Sequence, residues 1–262
     1  MNIKAIIIAF VISGLLMFAG LGVSAPPGHA ALAVTVSGDV NIKNAEGELR
    51  TAKRRSKIFP GETVITLSEA SIKMRFTDGG IISMVADSEF RIDEYRYQDK
   101  SGDEDANSKN TVVMTLVKGG LRSITGLIGK TDKQDYKMNT ATSVIGIRGT
   151  DYNLLLCQGS CTHPQIENTP VDDGLYARVN KTEEQTRGIV MRNDAGEANV
   201  GEGQTAYVKD FGSVPVINTF FPDRALVLAR PNIEMRPVFP PPQVPTAPPV
   251  QAPPPIQYQY GY

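Results

Sequence analysis

The chain has 262 residues, 41% of them hydrophobic, and a formal net charge of −1. That length allows one sizeable domain or two small ones, and the composition is ordinary for a protein with a packed core. The 27 Lys and Arg residues nearly balance the 28 Asp and Glu residues. This balance argues against a dedicated nucleic-acid binder and against electrostatic steering of a highly charged substrate.

The first 33 residues have the features of a signal peptide. Lys4 is the only charged residue before Asp39, and an apolar run at 5–23 is followed by small residues and prolines. The A-x-A pattern at 31–33 predicts cleavage after Ala33, with Ala30 as a second position. The alternative is an uncleaved anchor, because the run approaches the roughly 20 residues that span a bilayer. Either way, the rest of the chain is predicted to be exported, with a periplasmic location.

The only two cysteines, Cys157 and Cys161, lie four positions apart. In an oxidising compartment such a pair predicts an intramolecular disulfide. The alternative is a metal site formed by both cysteines with His163, although that spacing is not a standard zinc finger and no fourth ligand is apparent. We expect the disulfide, and no metal or small-molecule cofactor.

From residue 34 to 215, hydrophobic and polar residues alternate in short runs separated by Gly, Asp and Asn. In "SIKMRF", Ile72, Met74 and Phe76 fall on one face, and in "EFRIDEY" Phe90 and Ile92 point inward. No long helical repeat interrupts the pattern. It predicts an all-β domain, either an antiparallel β-sandwich or a short β-solenoid.

The composition changes towards the C-terminus. We divide it into a connector at 216–230 and a Pro-rich tail at 231–262, which holds eleven of the eighteen prolines. So many prolines predict a disordered, extended tail, because proline cannot donate to a β-ladder. The tail is a spacer in the simpler interpretation. In the other it is a docking segment, with anchors at Tyr258, Tyr260 and Tyr262.

Several short motifs suggest ligand chemistry but do not fit it. "GLIGKT" ends like a phosphate-binding loop, but the first glycine of that motif would fall at Ile124. "SGDEDANSKN" begins like an EF-hand calcium loop but lacks its glycine and its closing glutamate. The basic cluster "KRRSK" at 53–57 could contact anionic envelope polymers or lipid headgroups, although a solvated turn is the simpler interpretation.

Catalytic signals are equally weak. No G-x-S-x-G elbow is present, and nothing in the sequence gives a nucleophile an oriented base. A glycan-acting enzyme would need two opposed carboxylates, for which Asp93, Glu94 and Asp151 are the candidates. We rank that alternative last, because charged residues on alternating strands usually form the solvated face.

Several blocks, in order, resemble the FecR domain: "SGDV", "KIFPGETVITLSEASIKMRFTDGGIISMVADSEFRIDEY", "LVKGGLRSITGLIGK" and "DYKMNTATSVIGIRGTDYNL". The resemblance covers residues 34–156 and continues into an extension at 157–215. Its sharpest part is a G-x-R-G-T motif made by Gly146, Arg148, Gly149 and Thr150.

The resemblance implies an exported, non-enzymatic β-domain that binds an envelope protein or polymer, and no nucleic acid. Relatives of the iron-dicitrate regulator signal across the membrane through a cytoplasmic sigma-factor-binding segment. Only residues 1–4 precede the apolar run here, so we do not expect anti-sigma activity. A membrane-anchored signalling component of the FecR type remains the alternative, and it requires an uncleaved N-terminal segment.

The motif itself is open to two interpretations. Its glycines allow a bulge, a positive φ or a close approach of the backbone, and Thr150 and Asp151 can cap exposed backbone groups. Arg148 can donate five hydrogen bonds. It either clamps the fold internally, which we favour, or grips a partner.

Overall fold

The computed structural model describes residues 28–98, 110–131, 133–183 and 188–222. Within these residues the chain forms seventeen strands, one short helix, α1 (Leu127–Thr131), and a 3-10 turn at Lys133–Asp135. None of the helices there is long and apolar enough to cross a membrane. The predicted Pro-rich tail, the calcium-like acidic loop and the apolar run at 5–23 lie outside the described residues.

One sheet, here called sheet A, is antiparallel throughout and includes the second half of the long strand β9 (Thr111–Ile124). Its strands, in spatial order, are β4 (Lys57–Ile58), β1 (Ala31–Ser37), β6 (Ser71–Phe76), β7 (Ile81–Met84), β9 (Thr111–Ile124), β12 (Thr150–Cys157), β13 (Gly174–Thr182), β16 (Thr205–Val208) and β17 (Val216–Asn218).

The other sheet, sheet B, includes the first half of β9 and has one parallel pairing, between β9 and β10. Its strands, in spatial order, are β3 (Leu49–Thr51), β2 (Val40–Lys43), β5 (Thr63–Thr66), β8 (Ser88–Arg96), β9, β10 (Tyr136–Asn139), β11 (Val144–Ile147), β14 (Ile189–Asn193) and β15 (Gly196–Val200).

Strand β9 joins the two sheets, and it changes sheet at a glycine. Lys118 pairs with Glu89 in sheet B, whereas Gly119 pairs with Leu156 in sheet A. Gly119 has a φ of 77°, and a Cβ there would lie 2.3 Å from the Ser88 hydroxyl oxygen. A larger residue would therefore be both strained and too close to its neighbour at this crossing.

The inner faces of the two sheets form one continuous core. Ile72, Met74 and Phe76 of sheet A and Phe90 and Ile92 of sheet B are all buried within it, which confirms the predicted facing of both strands. The pairings are almost all antiparallel and residues of both sheets share one core, so the predicted all-β class is confirmed.

The domain extends past both predicted boundaries, 34 and 215. Strand β1 begins at Ala31, and Ala30 is fully buried with its N–H donating to the Ile58 carbonyl at 2.9 Å. Cleavage after Ala33 would therefore remove three residues of β1, so the predicted cleavage position divides a core strand. At the other end, β17 occupies part of the predicted connector, and Phe221 is buried.

Candidate functional site

The G-x-R-G-T motif lies where the chain leaves β11 of sheet B and enters β12 of sheet A. The Gly188 carbonyl closes this junction by accepting two hydrogen bonds, from the Arg148 N–H at 3.1 Å and from the Thr150 hydroxyl. The Thr150 N–H donates to the Thr125 hydroxyl at 2.8 Å. Thr150 is buried, so its hydroxyl satisfies a backbone carbonyl that water cannot reach.

The two glycines of the motif have different roles. Gly149 has a φ of 68°, and a Cβ built on it would lie 2.8 Å from a carboxylate oxygen of Glu183. Gly146 pairs with Val190 in the middle of an antiparallel strand pair, and nothing lies within 4 Å of the position its Cβ would take. Only Gly149 therefore needs the conformational freedom of glycine.

Arg148 is half-buried at the turn. Its backbone is held on both sides, because its N–H bonds to Gly188 and its carbonyl accepts from the Thr182 hydroxyl at 3.5 Å. These contacts fix the position of the Arg148 backbone, and they do not determine which group the guanidinium binds. The internal-clamp role stays a prediction.

A polar cluster follows the motif on the outer face of sheet A. The Arg122 guanidinium on β9 donates to both carboxylate oxygens of Asp151, at 2.9 and 2.6 Å. The Asn180 side chain donates to the same carboxylate at 3.1 Å. Hydrogen bonding to Asp151 raises the pKa of Arg122, so this guanidinium stays charged. Sequence reasoning missed Arg122 and Asn180, because only strand register brings them to Asp151.

Asn153, also on β12, lies beside this cluster. It is almost completely buried, and its amide donates to the Asn180 side-chain oxygen at 3.4 Å. Among the described residues nothing donates a hydrogen bond to its own side-chain oxygen. A buried acceptor without a donor is costly, and here it lies between Arg122 and Arg178 in the strand register.

The opposite face of β12 carries a buried hydroxyl network. The Tyr152 hydroxyl is hydrogen-bonded to that of Tyr136 at 3.1 Å, which in turn is bonded to Ser123 at 3.2 Å. Burial raises the pKa of Tyr152 to about 12 and, together with the neighbouring Tyr152, raises the pKa of Tyr136 well above its usual value. These hydroxyls stay protonated and link β9, β10 and β12 inside the core.

The carboxylates proposed for glycan hydrolysis do not form a pair. Asp93 and Glu94 lie on β8 of sheet B, whereas Asp151 lies on β12 of sheet A. Each is held by a neighbour: Asp93 by Arg91 and the Thr115 hydroxyl, Glu94 by Arg96, and Asp151 by Arg122. The structure therefore places no two of these groups as an acid and a base across a substrate.

The "GLIGKT" segment serves packing and capping. The buried Asp78 carboxylate accepts from the Gly80 N–H at 3.0 Å and from the first turn of α1 at Ile128, at 3.4 Å. A Cβ at Gly126 would lie 2.3 Å from that carboxylate, and one at Gly129 would lie 2.3 Å from Ile147. Lys130 forms an ion pair with Glu183 at 2.9 Å. The glycines therefore allow close packing here.

Cys157 and Cys161 form the predicted disulfide, and neither is a free thiol. The alternative metal site with His163 is therefore wrong, because both sulfurs are bonded to each other. Across the described ranges, no cluster of His, Cys, Asp and Glu could hold a metal ion. The His163 ring instead packs on Phe220 with centroids 4.4 Å apart. The disulfide and Phe221 belong to a small apolar cluster near the C-terminal end of the described domain.

A family model described as FecR protein matches residues 62–163. The match begins later than the resemblance read from the sequence, which started at residue 34, and ends seven residues beyond 156. It contains the whole G-x-R-G-T motif and both cysteines. The strands before residue 62 and after residue 163 lie outside the match, although they complete the same two sheets.

Two solved structures are similar to parts of the chain. One, described as a cell surface anchoring domain, is 29% identical, with 24% of this chain and 82% of that chain covered and a TM-score of 0.23. The other, from Parabacteroides distasonis, is described as a candidate anti-sigma factor. It is 11% identical, with 64% of this chain and 63% of that chain covered and a TM-score of 0.40.

No curated protein matches the chain. The family match and the motif it contains agree with the resemblance seen in the sequence. The chain therefore carries a FecR domain at residues 62–163.

Proposed function

We propose that this protein is an exported, non-enzymatic binding or scaffold module of the cell envelope. The observation that carries the proposal is the state of the carboxylates in the FecR domain. All three catalytic candidates are bound by neighbouring cations, and they lie on two different sheets. A glycan-acting pair needs two carboxylates that face each other across a substrate, and candidates on two different sheets do not support such a pair.

Two features of the chain support export, an apolar run near the N-terminus and a disulfide. The apolar run at 5–23 is separated from the start of β1 by seven residues. The only two cysteines form a disulfide, and such bonds persist mainly in oxidising compartments. We place the protein in the periplasm, where the FecR domain meets an envelope protein or polymer.

The second candidate function is a membrane-anchored signalling component of the FecR type. The start of β1 favours it, because Ala30, Ala31 and Ala33 are core residues. A domain that begins so soon after the apolar segment would lie directly outside a membrane if that segment were retained. The N-terminal residue of the exported protein separates the two candidates, because a start near residue 31 leaves no anchor.

The proposal is tested by crosslinking in intact cells, followed by separation of cytoplasmic and envelope fractions. We expect the protein in the envelope fraction with a reproducible crosslinked partner, and no release of sugar from peptidoglycan or oligosaccharides. Cytoplasmic protein would contradict export. Glycan hydrolysis that is lost on Asp93→Asn or Asp151→Asn would contradict the non-enzymatic assignment.

A further inference from the structure

We propose that the outer face of sheet A binds a linear anionic polysaccharide. This inference rests on the proposed function and deepens it, since it names the chemical class of the envelope partner. The binding surface, here called the cationic face, consists of Lys57, Lys73, Arg75 and Arg178 with the Arg122–Asp151 pair and Asn153 among them.

Charge is distributed unevenly between the two sheets. The strands of sheet A carry one carboxylate, Asp151, and Arg122 already holds it. Within the described residues, the four other cations of the cationic face form no ion pair. On sheet B, by contrast, five cations are paired with carboxylates: Lys43 with Glu89, Arg50 with Glu62, Arg91 with Asp93, Arg96 with Glu94 and Arg192 with Glu197. The overall charge of −1 therefore conceals a positive surface.

The cations of sheet A share one face because of strand alternation. Lys73 and Arg75 alternate with the buried Ile72, Met74 and Phe76, and Arg178 lies between the buried Ala177 and Val179. Side chains that alternate with core residues point away from the core. The basic groups therefore line the outer side of sheet A.

Strand register aligns these residues across the sheet. Lys73 pairs with Ser83, Ser83 with Arg122, Arg122 with Asn153, and Asn153 with Arg178. At about 4.8 Å per strand, the four steps from Lys73 to Arg178 cover roughly 19 Å. Arg75 and Lys57 continue the face towards β4, as both neighbour Leu32 on β1.

The buried Asn153 side chain indicates a ligand independently of the charge distribution. Its buried side-chain oxygen has no donor within the described residues, yet cations stand on both sides of it in the register. A ligand for this place must offer a hydrogen-bond donor beside an anionic group. Sugar hydroxyls next to carboxylates or phosphates have this combination along the whole chain, whereas polyglutamate has donors only in its backbone N–H groups at neutral pH.

Sheet twist distinguishes a polymer from a lipid surface. Adjacent strands are rotated by roughly 20–25°, so the row from Lys73 to Arg178 turns by about 80–100°. A flat bilayer can touch only one part of such a row, but a flexible linear chain can follow all of it. The turn at 53–57 adds further cations at the β4 edge, where the Arg55 N–H donates to the Ala33 carbonyl at 2.8 Å.

The experiment measures binding of the purified full chain to polygalacturonate, with neutral dextran, polyglutamate, double-stranded DNA and anionic phosphatidylglycerol vesicles as comparison probes. The test variant is Lys73→Gln/Arg75→Gln/Arg178→Gln. The matched control, Arg91→Gln/Arg96→Gln/Arg192→Gln, removes the same charge from sheet B. If the test variant melts early, the pair Lys73→Gln/Arg75→Gln replaces it.

We expect polygalacturonate to bind more tightly than every comparison probe and to bind less tightly as salt rises. The test variant should lose at least tenfold in affinity, and the control less than threefold. Absence of polygalacturonate binding, equal losses in both variants, or a preference for polyglutamate, DNA or vesicles would overturn the inference. A crosslinked envelope protein without polysaccharide binding would overturn this inference alone and leave the proposed function intact.

Discussion

The two glycines of the G-x-R-G-T motif provide a sharp test, because the structure predicts opposite effects on stability when each is replaced with alanine. Replacing Gly149 with Ala forces a residue with a side chain into a φ of 68°. Its Cβ would also lie 2.8 Å from the Glu183 carboxylate. Replacing Gly146 with Ala places a methyl group where nothing lies within 4 Å.

The magnitudes follow from backbone preference. A left-handed conformation costs a non-glycine residue roughly 1–2 kcal/mol, so Gly149→Ala should lower the melting temperature by about 2–8 °C in a domain of this size. Glycine within a strand is roughly 0.5–1 kcal/mol less favourable than alanine. Gly146→Ala should therefore leave the melting temperature unchanged or raise it by about 1–4 °C.

Thermal unfolding followed by circular dichroism measures both changes. The double variant Gly149→Ala/Glu183→Ala separates backbone strain from the contact with Glu183. Because the Glu183 side chain is more than half exposed, it can move aside, and we expect most of the loss to persist in the double variant. Equal destabilisation by Gly146→Ala and Gly149→Ala would refute this account of the junction.

Three further predictions concern the disulfide, the buried tyrosines and the N-terminus. Thiol titration of the unfolded, unreduced protein should find no free thiol. Reduction should lower the free energy of unfolding by about 2 kcal/mol, because the closed loop is short. Two free thiols would contradict the bond between Cys157 and Cys161. Because the folded-state pKa of Tyr152 is raised to about 12, its contribution to stability is complete below pH 10 and is lost as the pH rises from about 10 towards 12. Tyr152→Phe should make this alkaline loss shallower, and an identical slope would argue against the effect. N-terminal sequencing of the exported protein should find a start at or before Ala31, because β1 then stays whole; a start at Val34 would show that the fold does not need the first residues of this strand.

Alternation in the sequence was sufficient to predict the all-β class and the facing of individual strands. In "SIKMRF" every second residue is apolar, and in "EFRIDEY" Phe90 and Ile92 alternate with charged residues; the structure buries these apolar side chains. The disulfide was also predictable, because two nearby cysteines in a chain predicted to be exported leave one simple pairing. These features depend on residues that are close in sequence.

The cationic face could not be predicted in the same way. Lys73, Arg122, Asn153 and Arg178 lie on four different strands, and only the register of sheet A aligns them. The balanced total charge argued against a nucleic-acid binder and against electrostatic steering, but a sum over the chain does not show which cations have partners. The different roles of Gly146 and Gly149 could likewise not be predicted from the sequence, because the φ of each glycine depends on the strand or turn that contains it.

The sequence alone does not separate the predicted cleavage position from the start of the first strand. The A-x-A pattern at 31–33 fits a cleavage site, but Ala31 and Ala33 are also small core residues of β1. A short alanine-rich stretch fits a cleavage site and a buried strand equally well. Only the pairing of β1 with β4 and β6 shows that it belongs to the folded domain.

Site-specific photocrosslinking in intact cells tests the central claim, that this domain binds an envelope partner through sheet A. A photoreactive residue replaces Ser83, which lies between Lys73 and Arg122 in the register, or, as the control, Lys137 on the outer side of sheet B. We expect a discrete envelope adduct from position 83 and none from position 137. No adduct from position 83, or an adduct from position 137 alone, would contradict the account.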